Sequence, residues 1–292
     1  MHMVKQYDLP SAFELSPAYL FFWDQFEKCN FFLHLIMRLK HLPIDHEYMR
    51  HVLKSPIDDG GHWHMLQNLV HKYGVAPKHA MNETHHTNRT ASLTMFLTSK
   101  LREYAHELRN TADAEVPAKL TTFMRNIYNY IVTFLGEPPR TVRWEFYPET
   151  DSDTKKKKKN KNRKTRARQR RSRGWLANMF ASDDATADRG SRREPETHKG
   201  TTGRITKKSF QATQVMTPQQ FFTKHVKVPI QDYVSVIHYP HATRPYNQYY
   251  TVRFNNNIVG APGSRLLNVD QSTFRQLARA SIDAGEPMWF AG

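Results

Sequence analysis

A chain of 292 residues is long enough for one large domain or two modest ones, with a core that needs no disulfides. Its single cysteine excludes an intrachain disulfide framework and a cysteine-based zinc site, and no stretch reaches the roughly 20 apolar residues that cross a bilayer. The formal charge of +16 does not mark a basic fold, because Lys155 to Arg173 holds seven Lys and six Arg without an acid, and the rest carries 30 basic against 27 acidic residues.

Met1 to Ser11 lack the basic-then-apolar order of a signal peptide, so the cytosol is the expected location, with the nucleus as the alternative through the basic segment. Ser16-Pro17 reads as an N-cap followed by proline at the first helical position. It opens a strongly apolar helix through Tyr19, Phe22, Trp23, Phe26, Cys29, Leu33, Ile36 and Met37. After Pro43 a short helix is predicted from Ile44 to Leu53, and Ser55 to Gly61 is rich in turn residues. The next helix carries Trp63, Leu66, Leu69, Val70 and Tyr73, and Gly74 stands where a helix takes a left-handed final residue.

Helices from about Leu93 to Leu108 and about Val116 to Leu135 space their apolar residues three or four apart and are expected to pair as a hairpin. Gly136, Pro138 and Pro139 stop the second. Val142, Trp144 and Phe146 then alternate with polar residues as in a half-buried strand. From Thr150 to about Gln214 the composition predicts disorder, with Trp175, Leu176, Met179 and Phe180 as a short docking motif inside it.

Order returns at Thr217-Pro218, a second cap-and-proline start, with Phe221, Phe222 and Val226 on one helix face. Tyr233 to Tyr239 and Tyr249 to Phe254 read as strands, with Asn255 to Asn257 as a turn before Ile258 and Val259. A helix from about Gln271 to Ala284 carries Phe274, Leu277, Ala278 and Ile282, Gly285 closes it, and Pro287 to Ala291 reads as an apolar strand.

The segment Asp58-Asp59-Gly60-Gly61-His62-Trp63 runs from two glycines straight into a helix. Glycines there serve either as turn residues, with Asp58 or Asp59 capping the helix, or as a backbone that another chain can approach and pair with. Cys29, mid-helix on an apolar face, reads as a packed core thiol, since reactive cysteines favour helix N-termini and electropositive, accessible sites. Metal binding is not expected. Among the histidines, His62 and His64 point to different sides of a helix, His85-His86 is only a pair, and no His-Glu-x-x-His pattern occurs.

Leu15-Ser16-Pro17-Ala18-Tyr19-Leu20-Phe21-Phe22-Trp23-Asp24, Asp58 to Leu66, Lys72-Tyr73-Gly74-Val75-Ala76-Pro77-Lys78, Tyr246 to Val252 and Ala280 to Phe290 resemble, in order and spacing, the bleomycin hydrolase and aminopeptidase C family of papain-like cysteine peptidases. The resemblance covers most of the chain outside about Thr150 to Gln214. It implies a papain-like α+β fold, incomplete, divided as residues 1–75 (helical half), 76–150 (the family's helical insertion), 151–214 (basic disordered insertion) and 215–292 (strand-rich half, truncated). It implies that Asp59, Gly60, Gly61 and His62 bind the peptide substrate, the glycine backbone pairing with the peptide near its second residue from the scissile bond. The family usually has glutamine where this chain has His62.

The resemblance further implies that the nucleophilic cysteine and the oxyanion-hole glutamine lie upstream of Met1 to Ser16, and the histidine and asparagine downstream of Pro287 to Ala291. The chain is therefore expected to be a fragment of a thiol aminopeptidase with no catalytic residue and no cofactor of its own. Its apolar stretches Ser16 to Met37 and Pro287 to Ala291 would be covered by the absent flanks. A homo-hexamer is the family's assembly. The alternative is a non-catalytic scaffold that holds nucleic acid nonspecifically through Lys155 to Arg173.

Overall fold

The computed structural model describes residues 2–7, 9, 12–58, 60–146, 212–286 and 288. Asp59, residues 151–211 of the predicted insertion with its docking motif, and the predicted strand at Pro287 to Ala291, Met288 excepted, lie outside the described residues, while Ala212 to Gln214, expected to be disordered, lie in a strand. Two compact units are present. One comprises Met1–Val4, Leu9–Trp144 and Gln214–Gly292; of the other, Lys5–Asp8 and Glu145–Thr213, only residues 5–7, 145, 146, 212 and 213 are described.

The helices are α1 (His2–Tyr7), α2 (Pro17–Arg38), α3 (Glu47–Lys54), α4 (Trp63–Tyr73), α5 (Ala91–Arg109), α6 (Val116–Leu135), α7 (Pro218–Phe221) and α8 (Gln271–Ala284). Strands β1 (Val142–Phe146) and β2 (Ala212–Met216) form a two-stranded sheet, while β3 (Ser235–Ile237), β4 (Gln248–Tyr250) and β5 (Leu266–Asn268) form a three-stranded one. In the latter β5 is central, parallel to β3 and antiparallel to β4.

Helix α2 starts where its cap predicts. The Ser16 hydroxyl accepts from the Tyr19 N–H at 3.1 Å and donates to the Met81 carbonyl at 2.6 Å, which ties the helix start to a loop 65 residues on. Its apolar face is not bare, contrary to the expectation that outside flanks would cover it. Phe22, Cys29, Leu33 and Ile36 have no exposed surface, because α4, α5 and α6 of the same chain close over them. Trp23 stacks on Tyr73 of α4 with ring centroids 4.0 Å apart, and Phe22 meets Tyr128 of α6 edge-on at 5.4 Å. The α5–α6 pair is an antiparallel hairpin, with Phe96 against Tyr130, Tyr104 stacked on Phe123 at 4.0 Å and Glu107 paired to Lys119 at 2.7 Å.

The second capped start also forms. The Thr217 hydroxyl and Gln220 side chain make a reciprocal capping box, after which α7 widens into a π-helical turn over Phe222–Val226 that ends at Lys227 with φ 52°. Phe221 and Val226 are buried and Phe222 only half so.

The strand-rich reading of residues 233–259 needs correction: only three-residue strands form there, and Val252 to Val259 hold none. Side chains take the backbone groups that a ladder would use. Asn268 donates to the Tyr239 and Arg244 carbonyls and accepts from the Tyr239 N–H at 2.8 Å, and the Ser264 hydroxyl accepts from the Val252 N–H at 2.9 Å. Phe254 then sits at φ 63°, which no strand tolerates. Helix α8 forms as predicted, capped by Asp270, yet its apolar Phe274, Leu277 and Ile282 are 40%, 45% and 67% exposed.

Candidate functional site

Between α3 and α4 the described residues 55–58 and 60–62 hold no helix or strand, and Gly60, Gly61 and His62 are exposed there. They line a groove of about 640 Å³ together with Phe31, Leu35, Val52, Met65 and Arg253 to Asn256. Neither glycine takes a positive φ, so turn geometry does not demand glycine at either position. A Cβ on Gly60 would meet nothing within 4 Å, and one on Gly61 would meet only the Met65 sulfur at 4.0 Å. Gly61 makes no hydrogen bond among the described residues. What the glycines leave is open space beside the Gly61 backbone, which has no partner among the described residues, a geometry that suits another extended chain.

Of the two predicted caps, Asp58 is turned to α2. His62 occupies the N-cap position without a side-chain hydrogen bond, and Asp59 lies outside the described residues. Asp58 faces the other way, toward three polar side chains of α2 that the apolar reading of that helix passed over. The Lys28 ammonium, almost fully buried, sits 2.6 Å from Asp24 and donates to the carbonyls of Asp58 at 3.1 Å and of Gly60, with the Asp58 carboxylate at 3.3 Å. Gln25, with no exposed surface, donates to the same Asp58 carbonyl at 3.1 Å. Asp24 in turn accepts from Asn257 at 3.2 Å, and Asn257 also donates to the Met65 carbonyl at 3.1 Å. Burial pushes the Asp24 carboxyl up despite Lys28 beside it. The sequence signal was an Asp and a Lys four apart on an apolar helix, a spacing that puts both on one face.

The His62 and His64 rings do not diverge: they lie face to face with centroids 5.8 Å apart. His64 is buried and its Nε2 is 3.3 Å from the Asn255 carbonyl. Burial pushes its pKa below the ordinary 6.5, with the Asn255 carbonyl opposing and His62 adding to the shift. The fold thus disfavours the proton that the unfolded chain binds at this ring, so stability falls as pH drops through about 6.5 and below. Melting temperature is expected to fall between pH 7.5 and 5.5, with a shallower slope in His64→Gln. An equal slope in the two proteins would show that His64 does not titrate differently in the folded state.

Cys29 has no exposed surface, and burial drives its thiol far above the ordinary range. Among the described residues no three or more His, Cys, Asp or Glu side chains gather as metal ligands, and no helix is long and apolar enough to cross a membrane.

The sequence matches the model of the Peptidase C1-like family over residues 1–166 and 203–292. It is 31% identical over 284 residues to aminopeptidase C of Streptococcus thermophilus, covering 96% of this chain and 51% of that protein. It is 30% identical to bleomycin hydrolase of Gallus gallus, with 98% and 52% covered. The crystal structure of PepW from Lactobacillus rhamnosis superposes with a TM-score of 0.72 at 29% identity, covering 97% of this chain and 52% of that one. The chain therefore spans about half the length of the curated relatives it matches, and its mixed helix and sheet architecture is the papain-like peptidase fold.

Proposed function

Because this chain belongs to the Peptidase C1-like family, we propose that it supplies the peptide-binding part of a cysteine-type aminopeptidase, one that removes N-terminal residues from peptides. Its reacting cysteine, histidine and asparagine come, on this reading, from sequence outside these 292 residues. The observation that carries the proposal is the exposed glycine edge beside the groove. An extended peptide laid along Gly60 and Gly61 pairs with their backbone, and the missing β-carbons let it come within hydrogen-bonding distance. On this reading Asp59 and His62 flank the peptide. The chemistry needs a thiolate at an accessible site, and the sole cysteine of the sequence is sealed in the core. The burial of Cys29 supports the reading that the attacking thiolate is supplied by other sequence.

Titration of the chain with trialanine amide, followed by NMR, is expected to move the Gly61 amide signal. In Gly61→Ala the melting temperature should hold or rise slightly, because the new methyl meets only the Met65 sulfur at 4.0 Å. Peptide affinity should nonetheless fall about tenfold, roughly 1.4 kcal/mol. An unmoved Gly61 signal would defeat the proposal. So would thiol-dependent release of amine from a fluorogenic amino-acid amide that Cys29→Ser abolishes.

A further inference from the structure

The peptide edge has no ladder of its own to hold it, and glycine is the residue least able to hold itself. We propose that Lys28 is the positioning residue for that edge: its buried ammonium fixes the Gly60 carbonyl and thereby aims the Gly61 N–H at the peptide. The proposal rests on the peptide-edge reading above.

Lys28 is anchored before it reaches the loop. Asp24, one turn earlier on α2, holds the ammonium at 2.6 Å, and Asn257 holds the Asp24 carboxylate from the other side at 3.2 Å. An ammonium has three N–H donors. One meets Asp24, one the Gly60 carbonyl, and the third is shared by the Asp58 carbonyl and carboxylate at 3.1 and 3.3 Å. Gln25 adds a second donor to the Asp58 carbonyl at 3.1 Å, so the loop is held at two carbonyls two residues apart.

The consequence follows from the peptide bond. The Gly60 C=O and the Gly61 N–H belong to one planar trans unit and point in opposite directions. Turning that carbonyl inward to Lys28 turns the Gly61 N–H outward, to the exposed side where Gly61 has no partner among the described residues. A substrate carbonyl would accept from it there. The ammonium thus does not touch the peptide; it sets the direction of the donor that does.

Three variants of the 292-residue chain test this: Lys28→Met, which keeps the stem and removes the ammonium; Asp24→Asn/Lys28→Met, which also removes the buried carboxylate charge; and Lys28→Arg, which keeps a cationic donor. Backbone order parameters at Gly60 and Gly61, about 0.85 when rigid, are expected to fall below about 0.6 in both methionine variants while those of α5 and α6 stay unchanged. Affinity for trialanine amide should weaken about tenfold in both, with Lys28→Arg retaining most of it. Rigid glycines in both methionine variants would overturn the tether. Glycines that become mobile only in the methionine variants, together with a wild-type chain that gives no peptide-induced shift at Gly61, would leave the tether standing, defeat the peptide-edge reading and with it the positioning role. Loss of order in α5 and α6 in all three variants would overturn the proposal in favour of a role in folding alone.

Discussion

Gly74→Ala is expected to destabilise the chain by about 4 kcal/mol, lowering the melting temperature by roughly 10 °C. Two costs add at this residue. Its φ of 71° and ψ of −154° lie in a region that essentially only glycine enters. A methyl there would also stand 2.3 Å from the Pro218 carbonyl carbon and oxygen and 2.4 Å from the Gln219 nitrogen, all backbone atoms that cannot swing aside. This is the close approach that seats the capped start of α7 on the end of α4, where Gln219 reaches back to the Lys72 carbonyl at 2.9 Å. Gly136→Ala separates the two terms, because Gly136 has φ 84° but nothing within 4 Å of its would-be methyl. It should cost about 2 kcal/mol, from backbone strain alone. Equal losses in urea titrations of the two variants would mean that the α4–α7 junction gives way and that the crowding counts for nothing.

The sequence announces that junction only in part. Gly74 was legible as a helix end, and Thr217-Pro218 as a helix start, because caps and glycine stops are local chemistry written in neighbouring residues. That the two ends touch, 144 residues apart, is a long-range packing fact with no local signature. The same division runs through the rest of the fold. Helix α8 matches its predicted bounds, since Asp270 and Gly285 mark both ends. The strands do not, since Tyr, Val and Ile report β propensity but not whether Asn268 or Ser264 will take the backbone partners first. At the candidate site the glycine pair was visible and its meaning was not. Open space beside Gly60 supports the peptide-pairing reading proposed above, and space is a property of the fold. Lys28 and Gln25 were missed because polar residues on an apolar helix read as its solvated side until the loop they hold is in place.

Phe22→Ala is expected to cost about 4 kcal/mol, whereas Phe274→Ala should cost less than about 1 kcal/mol. Both are phenylalanines on an apolar helix face, and the sequence gives no ground for ranking them. The structure does. Phe22 has no exposed surface and packs edge-on against Trp23 at 5.1 Å and Tyr128 at 5.4 Å, so its removal leaves a cavity between α2 and α6 that close-packed rings cannot fill. Phe274 lies on the face of α8 that remains 40% exposed at this residue, so truncation removes little buried area and opens no cavity. Linear extrapolation of urea unfolding for the two variants, at unchanged m-value, reads the difference directly. Comparable losses would show that α8 is packed in solution against something that covers its apolar face. A small loss at Phe22 would show that α2 is not the core of this chain, and would take with it the platform from which Asp24, Gln25 and Lys28 hold the glycine edge.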